Sequence, residues 1–102
     1  MKIIPLGISG GYVISNTKHQ DPRGEFVEWF RADKIQDETG LVFRTIQANL
    51  SVSAAGSLRG IHYADVPPGQ AKYITCVSGA ILDYVVDIRT GSPTFGQWEA
   101  VS

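Results

Sequence analysis

Between residues 43 and 53 the chain alternates more strictly than anywhere else. Ile46, Ala48, Leu50 and Val52 fall on one side of an extended strand, and Thr45, Gln47, Asn49 and Ser51 on the other. The pattern predicts a strand with one dry face. Its other row carries amides and hydroxyls where a solvent face usually carries Lys and Glu. That row fits a solvated face or the wall of a polar cavity, and alternation alone does not choose. Further strands are predicted for YVISN, EFVEWFR, LRGIHY (58–63), AKYITCV and AILDYVVDIR, with GQWEAVS reading as the start of another. The last two full runs flank Ser78-Gly79 and are expected to pair as a hairpin. DPRG (21–24), AAGS, ADVPPGQ and TGSPTFG are turn signals, in which Pro fixes φ and Gly tolerates positive φ. ADKIQDETG predicts the one helix, stopping at Gly40. Many short strands with regular turns predict an all-β fold, an antiparallel sandwich or barrel such as a jelly roll, in a single domain over 1–102.

LRGIHY breaks the strand rule in an informative way. Arg59 and His62 lie three positions apart, which an ideal strand sends to opposite faces. Gly60 between them could allow a bulge or twist that turns both into one cleft.

Composition narrows the classes. The chain has 102 residues, 43% hydrophobic and 19% charged, so it can bury a modest core and is not of disordered type. A net charge of −1 gives no pull toward nucleic acid or anionic lipid, so neither is expected as a partner. Cys76 is the only cysteine and has no intrachain partner, which suits a reducing, cytoplasmic setting. The N-terminal MKIIPLGISGG is too interrupted for a signal peptide, and no apolar run approaches the length of a membrane span.

Candidate chemistry is sparse. His19 and His62 are far apart, no His-x-His pair exists, and no metal site is expected. Phosphate-loop, dinucleotide and G-x-S-x-G motifs are absent. What remains is acid–base work. An imidazole at His62 can take a proton, an ammonium at Lys72 can hold the negative charge that develops, and the forks of Arg59 and Arg23 suit phosphate or carboxylate. A lone strand histidine is more often structural than catalytic. Trp29 and Phe30 read more readily as core than as a stacking platform, Asp83 and Asp87 as an outward face or paired ions, and His19 as exposed loop.

Taken together, DPRGEFVEWF, QANLSVSAAGSLRGIHY and PPGQAKYITCVSGAILDYVVDIRTGSPTFGQW resemble the dTDP-4-dehydrorhamnose 3,5-epimerases of deoxysugar biosynthesis, from about Gly11 to Trp98. The resemblance implies a cupin-type jelly-roll β-sandwich, a homodimer that exchanges an N-terminal strand region, and no cofactor. The substrate it implies is a dTDP-4-keto-6-deoxy sugar, epimerised at the carbons beside the C4 ketone. Position by position, it makes His62 the base and Lys72 the group that contacts the sugar and stabilises the enolate. It places Arg59 by the pyrophosphate and sugar, and Gln47 and Asn49 along the cleft. Arg23 and Glu28 become nucleotide contacts given across the dimer, and Phe26 could stack on the base. The family's tyrosine acid, the carboxylate that orients the histidine and a second histidine match nothing here. Tyr63, Tyr73 and Tyr84 sit in other motifs. The expectation is therefore an N-terminal portion, a sandwich incomplete at its C-terminal end, with little full epimerisation of its own and an apolar edge prone to association. A single-carbon epimerase or a ketoisomerase of an antibiotic-sugar pathway, and a non-catalytic nucleotide-sugar-binding module, are the alternatives.

Overall fold

A computed structural model describes all of residues 1–102. Its regular structure is predominantly strand, six short strands and one helix. Strands β1 (Lys2–Pro5) and β2 (Tyr12–Ser15) pair antiparallel, with Ile3 opposite Ile14. β3 (Lys18–Asp21) and β4 (Gly24–Val27) form a second hairpin and are followed by α1 (Ala32–Thr39). β5 (Asp83–Val86) pairs with β6 (Trp98–Val101). The three sheets have two strands each. No helix is long and apolar enough to cross a membrane.

Local chemistry explains each element. DPRG turns at Pro22 and Arg23, where the Asp21 carboxylate accepts the Arg23 N–H at 2.8 Å, an Asx-type turn. Helix α1 closes at Gly40, whose φ of 73° lets its N–H reach the Gln36 carbonyl at 2.8 Å. Ile35 is its one buried residue. The first and third hairpins meet where Ile8, also buried, donates its N–H to Glu99 Oε1 at 3.2 Å. The predicted strand at GQWEAVS, the DPRG turn, the helix with its stop, and the turns at AAGS and VPPG are all present.

The long middle of the chain departs from expectation. Residues 43–53, 58–63 and 71–77 form no ladder, and 71–77 does not pair with 81–89. β5 takes β6 instead, across the 87–97 loop. EFVEWFR is laddered only as far as Val27, and β1 arises from a stretch that the pattern had not singled out. The physical reason is that alternation specifies which face is to be buried, whereas a strand needs a hydrogen-bonding neighbour. These segments have none among the 102 residues. Between residues 41 and 82 the backbone–backbone hydrogen bonds are Ser57 N–H to Ala54 O and Gly69 N–H to Asp65 O. Only Ile8, Ile35 and Asp87 are buried in the whole chain. The radius of gyration, 15.3 Å, exceeds the roughly 13 Å of a compact chain this long.

Candidate functional site

The β3–β4 hairpin presents a shallow cleft lined by His19, Asp21, Arg23, Gly24, Glu25 and Phe26. Arg23 clamps Asp21 through Nε at 3.1 Å and Nη2 at 2.5 Å, and this guanidinium holds the Asp21 carboxyl below its ordinary value. Lys18, 3.0 Å from Glu25, lowers that carboxyl in the same way. His19 sits on a strand, opposite Phe26 in register, rather than in a loop. Glu28, one residue past the ladder, lies 3.9 Å from Arg31 Nη1.

Beyond the hairpin, four rings gather. Phe30 meets Tyr73 edge-on with centroids 5.2 Å apart, and Phe43 at 5.6 Å. Trp29 is tilted against Tyr73 at 5.5 Å. The Tyr73 hydroxyl donates to the Trp29 carbonyl, which also accepts from Asn16 Nδ2 at 3.3 Å. Trp29 follows Glu28, Phe43 opens the segment that carries Gln47 and Asn49, and Tyr73 follows Lys72. The cluster therefore ties together the roots of three segments that carry candidate residues. Trp29 and Phe30 do belong to an apolar cluster, although Trp29 remains 53% exposed.

Gln47 Nε2 donates to Asn49 Oδ1 at 3.2 Å, so these two amides share one side of their segment as the alternation required. Arg59 Nε donates to Ser53 Oγ at 2.9 Å. Gly60 has φ of 117°, so the backbone between Arg59 and His62 is not that of a regular strand. The His62 and Lys72 side chains are exposed and enter no hydrogen bond or ion pair of this chain. Of the candidates, the chain joins Gln47 to Asn49. Arg23, Glu28 and Arg59 are each held by a neighbour outside the set.

One organised group lies outside the candidate set. Asp87, a paired ion as one option had it, is buried and holds the 87–97 loop. Its carboxylate accepts from Arg89 N–H at 3.0 Å, Nε at 2.9 Å and Nη2 at 2.8 Å, and from the Ser92 and Thr94 hydroxyls at 2.6 Å each. The arginine first, then the two hydroxyls, hold it far below the usual carboxylate range, and Arg89 is raised in return. Asp-x-Arg followed by Ser and Thr in a turn cluster was the available signal. No group of three His, Cys, Asp or Glu side chains is placed to hold a metal ion.

A family model described as dTDP-4-dehydrorhamnose 3,5-epimerase matches residues 5–102. A dTDP-4-dehydrorhamnose 3-epimerase of Streptomyces niveus is 54% identical over 99 residues, 97% of this chain and 48% of that protein. A dTDP-4-dehydrorhamnose 3,5-epimerase of Mycolicibacterium smegmatis is 56% identical over 96 residues, 94% of this chain and 48% of its own length. Among solved structures, NovW, a 4-keto-6-deoxy sugar epimerase of Streptomyces spheroides, superposes with a TM-score of 0.95 at 53% identity, over 99% of this chain and 51% of that one. ChmJ, a 3'-monoepimerase of Streptomyces bikiniensis solved with dTDP-quinovose, gives 0.91 at 52% identity, over 96% and 50%. The chain spans about half the length of the curated relatives it matches.

Proposed function

Because the chain belongs to the dTDP-4-dehydrorhamnose 3,5-epimerase family, we propose that it supplies the substrate-binding wall and the base of a dTDP-4-keto-6-deoxy-sugar epimerase. His62 takes the proton from a carbon beside the C4 ketone. The electron pair moves into the carbonyl as an enolate, and the Lys72 ammonium stabilises the oxyanion. Return of a proton to the opposite face, from an acid that is none of Tyr63, Tyr73 and Tyr84, inverts the carbon. Arg59 and Arg23 answer the diphosphate, Glu28 the nucleoside, and Gln47 and Asn49 the sugar hydroxyls. The proton transfer needs no metal or organic cofactor, because the ketone itself accepts the charge. The fold in this reading is a cupin-type jelly roll, working as a cytoplasmic homodimer.

The observation that carries this reading is the shared orientation of Gln47 and Asn49, joined at 3.2 Å, on a backbone that follows a 4-keto-6-deoxy sugar epimerase over 99% of its length. The test is proton exchange. Incubated in deuterated water with this chain carried in a full-length epimerase-family polypeptide, dTDP-4-keto-6-deoxyglucose should gain deuterium at C3, at C5 or at both, read by NMR. The site labelled separates mono- from diepimerisation, and a shifted carbonyl would mark a ketoisomerase. His62→Ala should slow labelling by about 10²–10⁴-fold, and unchanged labelling would remove His62 as the base. The free His62 imidazole favours one second reading, a nucleotide-sugar-binding module. It predicts saturable dTDP binding with no labelling, and absence of both would defeat both readings.

A further inference from the structure

Tyr73 stands one position after Lys72, is half-buried, and has no proton to move in the proposed reaction. Its ring packs against Phe30 at 5.2 Å, Trp29 at 5.5 Å and Phe43 at 6.2 Å. A phenylalanine would fill that cluster equally well. What the hydroxyl adds is one hydrogen bond, donated to the Trp29 carbonyl. That carbonyl is itself held. Asn16 Nδ2 also donates to it, at 3.3 Å, and Asn16 directly follows β2, which is paired along its length with β1. A hydrogen bond to a free loop carbonyl would position nothing. This one refers Tyr73 to the N-terminal hairpin.

Lys72 takes its place from this anchor. It lies three positions past Gly69, whose N–H closes a turn on the Asp65 carbonyl at 2.9 Å. It therefore stands at the entry of its segment, and segment ends are where backbone frays. On an extended chain neighbouring side chains leave by opposite faces. The ring cluster draws Tyr73 to one face and so delivers Lys72 to the other. Because the lysine stem is flexible, its ammonium is placed only as well as its root is fixed. An error there is felt in rate more than in binding, since the ammonium answers a charge that develops only as the proton leaves.

We propose that Tyr73 is a positioning residue for the epimerase reaction. Seated on the Trp29 carbonyl, its hydroxyl fixes the backbone that presents Lys72 to the developing enolate oxygen. Tyr73 touches no substrate atom and acts only through its neighbour. This role rests on the reading of Lys72 as the group that stabilises the enolate, and not on which carbons are inverted.

The test carries this chain in a full-length epimerase-family polypeptide. Deuterium incorporation into dTDP-4-keto-6-deoxyglucose, followed over a range of substrate concentrations, gives kcat and KM. Tyr73→Phe should lower kcat about 10-fold and leave KM within about twofold. A rise in KM with kcat kept, or no change in either, overturns the proposal. Ile35→Val trims the buried residue of α1 and controls for stability. It should lower the thermal midpoint and keep kcat within about twofold. An equal kcat loss in Ile35→Val would overturn the proposal and make Tyr73 a stability residue. Lys72→Met should lower kcat about 10²–10³-fold, and Tyr73→Phe added to it should cost less than about twofold more. The full 10-fold loss in that background overturns the positioning role and leaves Lys72 in its own. Unchanged kcat in Lys72→Met alone removes Lys72 from the reaction, and the positioning role falls with it. Where Lys72→Met labels too slowly for comparison, the split between kcat and KM decides alone.

Discussion

The Tyr73 hydroxyl donates a hydrogen bond to the Trp29 carbonyl, 44 positions earlier, and the rings of the same two residues touch. This is the firmest tie between the hairpin half of the chain and its unladdered middle. Tyr73→Phe keeps the rings and removes the hydrogen bond, which should cost about 1 kcal/mol. Tyr73→Ala also opens the cluster, for about 2 kcal/mol or more, even with the ring only half-buried. Urea unfolding followed by tryptophan fluorescence checks both. Equal effects would mean that the ring contacts contribute nothing.

Beside Asp21 and Glu25, two aspartates are lowered furthest and dominate the acid behaviour of the chain. Arg31 lowers the Asp33 carboxyl to about 2, through Nε and Nη2 at 2.8 and 2.7 Å. Asp87 is lowered further by Arg89, Ser92 and Thr94. A carboxyl depressed by folding stabilises the fold above its unfolded value, near 3.9, and the contribution fades as pH falls through the folded value. The Asp33 contribution should therefore fade between about pH 4 and pH 2, and its side-chain carbon resonance should titrate near 2. The 87–97 loop should outlast it. The amide of Gly96, bonded to Asp87 O at 2.8 Å, should stay protected at pH 3 and become exposed in Asp87→Asn at neutral pH. Loss of Gly96 protection in the wild type above pH 4 would contradict this.

Features legible in the sequence were those decided within a few residues. The Asx turn at Asp21, the stop at Gly40 and the common side of Gln47 and Asn49 all depend on neighbours at most four positions away. Partner choice was not legible. The runs at 71–77 and 81–89 looked like a hairpin because their composition suits strands, yet Asp83–Val86 meets Trp98–Val101. Both choices bury the same kinds of residue, and only the buried Asp87 node, which folds 87–97 back, distinguishes them. Asp87 itself was obscured because its partners are two small hydroxyls and an arginine that equally suit a solvated turn.

Arg59 is held by a single hydrogen bond to Ser53, which leaves its Nη groups for a ligand. Arg59→Lys removes the fork while keeping the charge, and should weaken dTDP binding about 10-fold. Ser53→Ala removes only the positioning contact and should change affinity by less than about threefold. Isothermal titration measures both. Equal affinities for the wild type and Arg59→Lys would take Arg59 out of the phosphate site.

Gly60 decides how Arg59 and His62 are presented. At φ of 117° it lies where side-chain-bearing residues are strained, at about 1–3 kcal/mol. A Cβ there would meet only the His62 backbone nitrogen, at an ordinary 3.6 Å, so Gly60→Ala acts through the backbone and not through a clash. Gly79 offers the matched control, with φ of 83° and open space around its Cβ position, 17 residues from His62 along the chain. Both alanine variants strain the chain, and urea unfolding should report similar losses. If His62 is the base, deuterium incorporation should fall at least about 10-fold for Gly60→Ala and stay within about twofold for Gly79→Ala, since only the first substitution lies beside His62. Equal losses of incorporation would reduce Gly60 to a stability residue. The three-residue spacing of Arg59 and His62 would then have no bearing on the site.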